Sequence, residues 1–389
     1  MSISITQTPA EVSLAQSPVV FSVLESNTVA LTSSSVQYIG ELYYWTGSLY
    51  NSSSANYTLV KYPNDADTGI FEISNILNST LSDLLQSNPS NEKNFAVDFY
   101  LQYKSSSVFV TGSHTKSSTY KVLDGYGIFP EQIGQSIESK SPYWPLMTDG
   151  PATQSVFINN YGSGSSYRGI VPAMTASTSI FYSSSVGTGS FSLLPSATST
   201  TASVGNFPLF PSTLGFPLTT VGLTNYTIQP YSASVALGAT IRYEIDCIQK
   251  YPNIRIKWKN RYGQFDFFNF YMVNKQSFST TKKTYQPQLG TFNATTLTYN
   301  SYDSAVLNYI VDSKQAISVN TFWISEDYNN ILKQLLVSDE IYWVTDEATD
   351  ESKPLTIATS NVVFKTGVVD KQIQYQFDFN FGQNYKLIL

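Results

Sequence analysis

The sequence predicts a mostly β fold: two related antiparallel β-sandwich-like domains, each with one short helix, separated by a low-charge, loop-rich β middle region. Three observations carry this. Tyr, Thr, Val and Phe, which suit half-buried pleated surfaces, are abundant, with 28 tyrosines alone, whereas the helix formers Ala, Glu and Lys are scarce. Segments alternating apolar and polar residues recur at both ends. One short motif is echoed between those ends. The domains are read as residues 1–125, an N-terminal β-domain; 126–225, a Ser/Thr/Gly/Pro-rich insertion or assembly region; and 226–389, a C-terminal β-domain.

In the first domain, Pro18 to Leu24, Gln37 to Trp45 and Asn56 to Tyr62 read as strands between polar turns such as Pro63-Asn-Asp-Ala-Asp-Thr-Gly. Phe71-x-Ile73-Ser74 followed by Leu81-x-x-Leu84-Leu85-x-Ser87 returns 251 residues later as Phe322-x-Ile324-Ser325 and Leu332-x-x-Leu335-Leu336-x-Ser338. Ser74 and Ser325 suit N-caps, and the leucines fall on one helical stripe after each. Glu326 and Asp327 complement the dipole of the second helix. Duplication accounts for the echo, with chance convergence of Leu- and Ser-rich segments as the alternative.

Between these domains the charge pattern changes. From Gly150 to Ile241, 92 residues carry one charged side chain, Arg168. An ordinary exposed surface is roughly a quarter to a third charged. Tyr161-Gly-Ser-Gly-Ser-Ser, Val186-Gly-Thr-Gly and Pro208-Leu-Phe-Pro argue for short strands and ordered loops, and the large apolar residues argue for order completed by a partner. Phe181, Tyr182, Phe191, Phe207, Phe210 and Phe216 are the interface candidates, with burial in a private core of the middle region as the alternative.

In the last domain Ile241, Tyr243, Ile245 and Cys247 alternate with Arg242, Glu244 and Asp246. The next strand places Ile254, Ile256 and Trp258 inward and Arg255, Lys257 and Lys259 on a charged outer face. Asn260-Arg-Tyr-Gly263 reads as a hairpin turn into Phe265-Asp-Phe-Phe-Asn-Phe, its doubled Phe suggesting a bulge. Asp346-Glu-Ala-Thr-Asp-Glu-Ser352 reads as a solvated hairpin tip.

Sites of chemistry are sparse. The single histidine, His114, lies in Thr111-Gly-Ser-His-Thr-Lys and reads as a surface residue, without the nucleophile motif a hydrolytic triad needs. Cys247 reads as a buried inert thiol, and one cysteine permits no internal disulfide. Asp65, Asp67, Asp98, Glu244 and Asp266 are the carboxylates open to a glycoside-hydrolase reading, which needs two of them a fixed distance apart. Asp65-x-Asp67-x-Gly69 opens like a calcium loop but lacks the distal glutamate, so a turn is expected. No catalytic residue, cofactor or metal is expected.

A net charge of −6 gives no electrostatic reason to expect nucleic acid. The basic, aromatic run from Lys250 to Phe265 departs from an RNA-recognition strand because no glycine follows Arg261 and Asp266 intrudes. No membrane insertion is expected, since no 18 apolar residues run together, and the N-terminus lacks a basic-then-apolar export signal.

Ser17-Pro-Val-Val-Phe, Tyr57-Thr-Leu-Val-Lys-Tyr-Pro-Asn leading to Thr68-Gly-Ile-Phe-Glu-Ile-Ser, and Lys257-Trp-Lys-Asn-Arg-Tyr-Gly-Gln-Phe-Asp-Phe-Phe-Asn-Phe resemble segments of virion structural proteins of tailed bacteriophages of Bacteroidota, crAss-like phages included. The resemblance spans about the first 90 and last 150 residues and leaves the low-charge middle unmatched. It implies a tail, neck, collar or ring subunit without enzymatic activity. Such a subunit is assembled in the cytoplasm of the infected bacterium, resides in the virion, and has copies of itself and other tail or neck proteins as partners. A receptor-binding adhesin for cell-surface glycans is the alternative.

Overall fold

A computed structural model describes residues 3–26, 31, 34–46, 54–81, 92–105, 108–128, 149–157, 166–171, 178–184, 187–192, 203–208, 224–232, 235–236, 240–246, 251–346, 351–366 and 373–383. The protein is mostly β, with short helical segments at Ser74–Thr80 and Asn329–Val337. Among the described residues, the ladders are antiparallel except Tyr120–Leu123 on Val12–Leu14 and Thr153–Phe157 on Ile241–Asp246, which are parallel.

The N-terminal unit is built from two sheets. Ile3–Gln7, Val20–Glu25 and Thr68–Glu72 form one; Val12–Leu14, Tyr120–Leu123, Glu92–Ser105, Ser34–Trp45 and Tyr57–Lys61, in that order, form the path of the other. Alternation within Val20–Glu25 sends Phe21 and Val23 inward, where they join Phe71, Leu77, Phe95 and Phe99 in one fully buried cluster. Phe99 lies 5.3 Å from Phe21 and 5.1 Å from Phe71 between ring centroids, spacings typical of tilted aromatic packing.

Tyr38 closes the corner where the chain crosses from the edge of one sheet to the edge of the other. Its buried hydroxyl accepts from the Glu25 amide at 3.1 Å and donates to the Asp67 carbonyl at 2.6 Å. Gly69 is required there, because a Cβ would stand 2.7 Å from the Tyr38 ring. Asn64 organises the same turn, its side-chain oxygen accepting from the amides of Ala66 and Thr68. Asp65 and Asp67 both lie exposed on it.

The low-charge stretch forms strands, as its turn residues suggest. Thr153–Phe157, Ile241–Asp246, Asn225–Ser232, Thr178–Ser184 and Gly187–Ser192 follow one another in a sheet, and Ser166–Val171 pairs with Ser203–Pro208. This sheet joins residues on both sides of position 225. Tyr226 and Tyr243 are cross-strand partners, fully buried and stacked at 5.0 Å.

At the C-terminal end one seven-stranded sheet, in the order Phe265–Phe270, Ile254–Lys259, Ile341–Asp346, Glu351–Ile357, Gln376–Phe381, Leu307–Asn320, Lys275–Tyr285, packs its apolar face on the helix Asn329–Val337. Trp258, Ile256, Phe377 and Phe379 meet Leu332 and Leu335 in the core. The sandwich-like character thus takes two forms: sheet against sheet at one end, sheet against helix at the other.

Several local expectations are corrected. Ser325 holds the N-cap position of the leading 3-10 turn but its hydroxyl makes no cap bond; Ser74 is already the first helical residue, and its amide is met by the Glu72 carboxylate at 2.9 Å. The first helix ends at Thr80, with Leu81 buried just beyond it, and Leu84 and Leu85 lie outside the described residues. The second helix matches its expected stripe, and Glu326 and Asp327 occupy its leading 3-10 turn. The doubled Phe makes no bulge. Register runs unbroken from Ile254↔Phe270 to Lys259↔Phe265, so Phe268 enters the core while Phe267 lies against the Arg255 guanidinium at 4.2 Å on the other face.

The largest correction concerns the face opposite that core. Arg255, Lys257 and Lys259 are 3%, 5% and 6% exposed, so the alternation sorts them correctly to one side but that side is covered. Lys257 lies over the rings of Phe265 and Tyr342.

Candidate assembly surface

Two features stand out from the frame: a buried polar junction that locks the segments together, and an arm that leaves them. The junction forms around the turn after Ile254–Lys259. Asn260 folds it by accepting from the amides of Tyr262 and Gln264, each at 3.0 Å, and Gly263 adopts a φ of +73°, a conformation open to glycine. Lys259 Nζ reaches Asp124 at 3.1 Å, Asp339 at 2.9 Å and Glu340 at 3.4 Å. Burial opposes the ammonium charge, but hydrogen bonds and fields from Asp339 and Asp124 prevail and hold its pKa above the usual lysine range.

Arg261 serves as the second anchor. Its guanidinium donates to Asp149 Oδ1 through Nη2 at 2.7 Å, and its Nε stands 2.5 Å from Oδ2 as an ion-pair contact. Gln334, from the helix, accepts from the Arg261 amide and donates to Asp149. The Arg261 carbonyl receives the Tyr126 amide at 2.8 Å. The chain therefore leaves this turn at Tyr126 and returns to it at Asp149. Gly125 and Gly263 permit the approach: added Cβ atoms would stand 2.3 Å from the Arg261 carbonyl and 2.0 Å from the Asp124 carbonyl. Desolvation and the Asp149 charge together push the Tyr262 phenol well up.

The arm is the opposite case. Lys275–Tyr285 and Leu307–Asn320 pair antiparallel along their length, yet Leu307–Asn320 meets Gln376–Phe381 only through Ala316–Asn320. Beyond Gln315 the two strands pair only with each other among the described residues; on Leu307–Asn320 the flank from Ile310 to Ser313 is still half-buried to buried, with Ser313 3% exposed, and the ribbon stands clear from Tyr309 outward. It continues to a small ladder, Thr291–Asn293 with Thr296–Thr298. Every residue from Lys275 to Tyr285, and in both strands of that ladder, is exposed.

The ribbon segment Phe278–Tyr285 is about 27 Å long at roughly 3.4 Å per residue. A two-stranded hairpin is marginal by itself in water. Among the described residues nothing pairs with either of its outer edges. Large side chains toward its far end stand in solvent, with Tyr302 82%, Tyr299 73%, Phe292 64% and Tyr309 58% exposed. No charged residue occurs from Thr284 to Tyr302. These arm residues are absent from the sequence-based candidates, although that charge-free run and a strand without apolar alternation, Lys-Gln-Ser-Phe-Ser-Thr-Thr-Lys-Lys-Thr-Tyr, both signal a segment with no core of its own.

Of the sequence-based interface candidates, Phe181 and Tyr182 lie on Thr178–Ser184, Phe191 on Gly187–Ser192 and Phe207 on Ser203–Pro208. Register places Phe181 opposite Ser190 and Gln229, and Phe207 opposite Tyr167. Phe210, Phe216 and Cys247 lie outside the described residues.

The carboxylates do not converge as a set. Asp266 is buried and accepts from Asn260, Glu244 pairs with Arg242 on an exposed sheet face, and Asp65 and Asp67 sit on the N-terminal turn. Asp98 faces another carboxylate, Glu41, its direct cross-strand partner. Two like charges at that spacing repel. The surroundings offset this: Tyr43 and Tyr100 donate to Glu41 at 2.9 and 3.2 Å, and His114 Nδ1 meets Asp98 at 3.0 Å while its ring lies 4.3 Å from that of Tyr100. The half-exposed His114 thus has a partner that its sequence neighbours do not reveal.

A surface cavity of about 420 Å³ lies at the start of the C-terminal helix, lined by Ser325, Glu326, Asp327, Asn329, Asn330, Lys333 and Thr366. Glu326 and Asp327 already supply the negative charge that such a helix end favours. Among the described residues no cluster of three or more His, Cys, Asp or Glu is arranged to hold a metal, and no helix is long and apolar enough to cross a membrane.

No family model matches the chain, and no curated protein matches it. The reading of the surface therefore rests on its physical chemistry.

Proposed function

We propose that the chain is a non-enzymatic structural subunit of a larger assembly, a tail, neck, collar or ring component of a bacteriophage virion, that docks through its arm and its low-charge middle region. One observation carries the assembly reading: the fully exposed strand Lys275–Tyr285 leaves its outer backbone edge unpaired among the described residues, and the far end of the ribbon carries a row of exposed aromatic rings, a surface that a lone globular protein normally covers. The rigid junction at Lys259 and Arg261 suits a part that must hold its shape while the arm engages. The phage assignment rests on the resemblance of the segments quoted above.

The test compares the full chain with a variant whose residues 286–302 are replaced by a short turn, both followed by light scattering across concentration and by electron microscopy. Concentration-dependent rings or particles that vanish with the shortened arm are expected. A chain that stays monomeric at high concentration and does not enter particles with its partners would sink the reading.

A second reading, an adhesin for cell-surface glycans, is favoured by Tyr299 and Tyr302 near the far end of the arm, whose exposed rings offer flat amphipathic surfaces. Glycan-array binding lost on Tyr302→Ser would favour it over a purely architectural role.

A further inference from the structure

Resting on that assembly reading, we infer that the arm seats on the N-terminal unit of a second copy of this chain, where its ribbon joins the open edge of Tyr57–Lys61. That strand is the last of its sheet and pairs only with Ser34–Trp45 among the described residues. Its burial pattern is nearly as exposed as that of the arm. Around it stand further apolar groups open to solvent: Tyr57 at 45%, Val60 at 47%, Tyr62 at 71% and Ile70 at 49%. Thr68–Glu72, the outer strand of the facing sheet, ends the other layer at the same corner.

Charge selects this pairing. The arm from Lys275 to Lys314 holds Lys275, Lys282, Lys283 and Lys314 against Asp303 and Asp312, a net of +2 in a chain of −6, so the remainder carries −8. Residues 57–72 hold Lys61 against Asp65, Asp67 and Glu72, a net of −2. Arm against arm would set like charges together; arm against this corner sets opposite charges together. Length agrees as well, since the five-residue edge needs about 17 Å of partner strand and the ribbon offers about 27 Å. Strand addition supplies backbone hydrogen bonds without a preformed pocket. Because the two halves of the contact are different patches of one chain, the contact is head-to-tail and propagates into a closed ring or a filament.

The experiment uses three full-length variants: Lys282→Glu/Lys283→Glu, which takes the arm from +2 to −2; Asp65→Lys/Asp67→Asn, which takes the corner from −2 to +1; and the combination. Asparagine is chosen at position 67 because the residue there has a φ of +56°, which asparagine tolerates and lysine does not. All four side chains are exposed, so circular dichroism and thermal midpoints should match the parent chain. Self-association at low ionic strength, measured by sedimentation velocity, should weaken at least about tenfold in each of the first two variants and return in the third. Loss in the arm variant with none in the corner variant, or no recovery in the combination, overturns the inference. A parent chain that does not self-associate overturns it too, whereas arm-dependent binding to other particle proteins would leave the assembly reading standing.

Discussion

Lys259 and Asp124 meet at 3.1 Å although 135 positions separate them, and each side chain is about 95% buried. That contact ties the last strand of the N-terminal unit to the hairpin that forms one edge of the C-terminal sheet. Such a pair does little net work against a well-packed apolar alternative, but removing one member leaves a charge stranded.

Removing the cation should therefore cost more than removing one anion. Lys259→Met leaves Asp124 and Glu340 buried without their ammonium and should destabilise the protein by about 3–5 kcal/mol. Asp124→Asn leaves Asp339 and Glu340 on Lys259 and should cost about 1–3 kcal/mol. Urea denaturation of the two variants checks the order; equal losses would show that Asp124 carries the whole contact.

Gly263→Ala should be the most damaging single methyl in the junction. It combines a positive φ with a Cβ position 2.0 Å from the Asp124 carbonyl, so the two segments must part. A loss of at least about 2 kcal/mol is expected from strain and broken contacts together. Proteolysis between positions 126 and 149 should accelerate in parallel, and an unchanged digestion rate would argue that the junction stays closed.

Arm and core should respond oppositely to truncation. Tyr299→Ser and Tyr302→Ser remove rings that touch mainly solvent and should change monomer stability by no more than about 0.5 kcal/mol while weakening assembly. Phe21→Ala, at a fully buried site, should cost about 3–5 kcal/mol. Thermal midpoints and scattering on the same samples separate the two effects; a large stability loss at Tyr302 would mean that the ring is packed.

Alkaline titration should single out Tyr342. Burial, reinforced by the charge of Glu340 and a 3.2 Å hydrogen bond to it, pushes its phenol up to about 12. A phenol whose folded pKa is raised stabilises the fold fully below the ordinary value of 10.0, and that contribution is lost as pH climbs through about 12. The wild-type stability should thus fall relative to Tyr342→Phe across this window, and parallel curves would refute the shift.

How much of this was legible in the sequence depends on whether the signal was local. Period-two alternation located Ile254, Ile256 and Trp258 on one face, and the Asn260–Gly263 turn followed from its residues, because both are decided by neighbours in the chain. Whether the opposite face was wet was decided elsewhere, by Asp124, Asp149, Asp339 and Glu340 arriving from distant segments, and no local pattern at Lys259 encodes that. The 251-residue echo marks a shared strand-to-helix corner around Ile73 and Ile324, both buried, while the strand orders of the two ends differ. Two runs lack charge, Gly150 to Ile241 with one arginine and Thr284 to Tyr302 with none, and the shorter one is exposed at every position but Pro287 and Gly290.

Tyr126 and Asp149 fasten to a single arginine from opposite sides, one through its carbonyl and the other through its guanidinium. A nick anywhere between them would leave two fragments still buckled together, co-migrating under native conditions and separating only in detergent or denaturant.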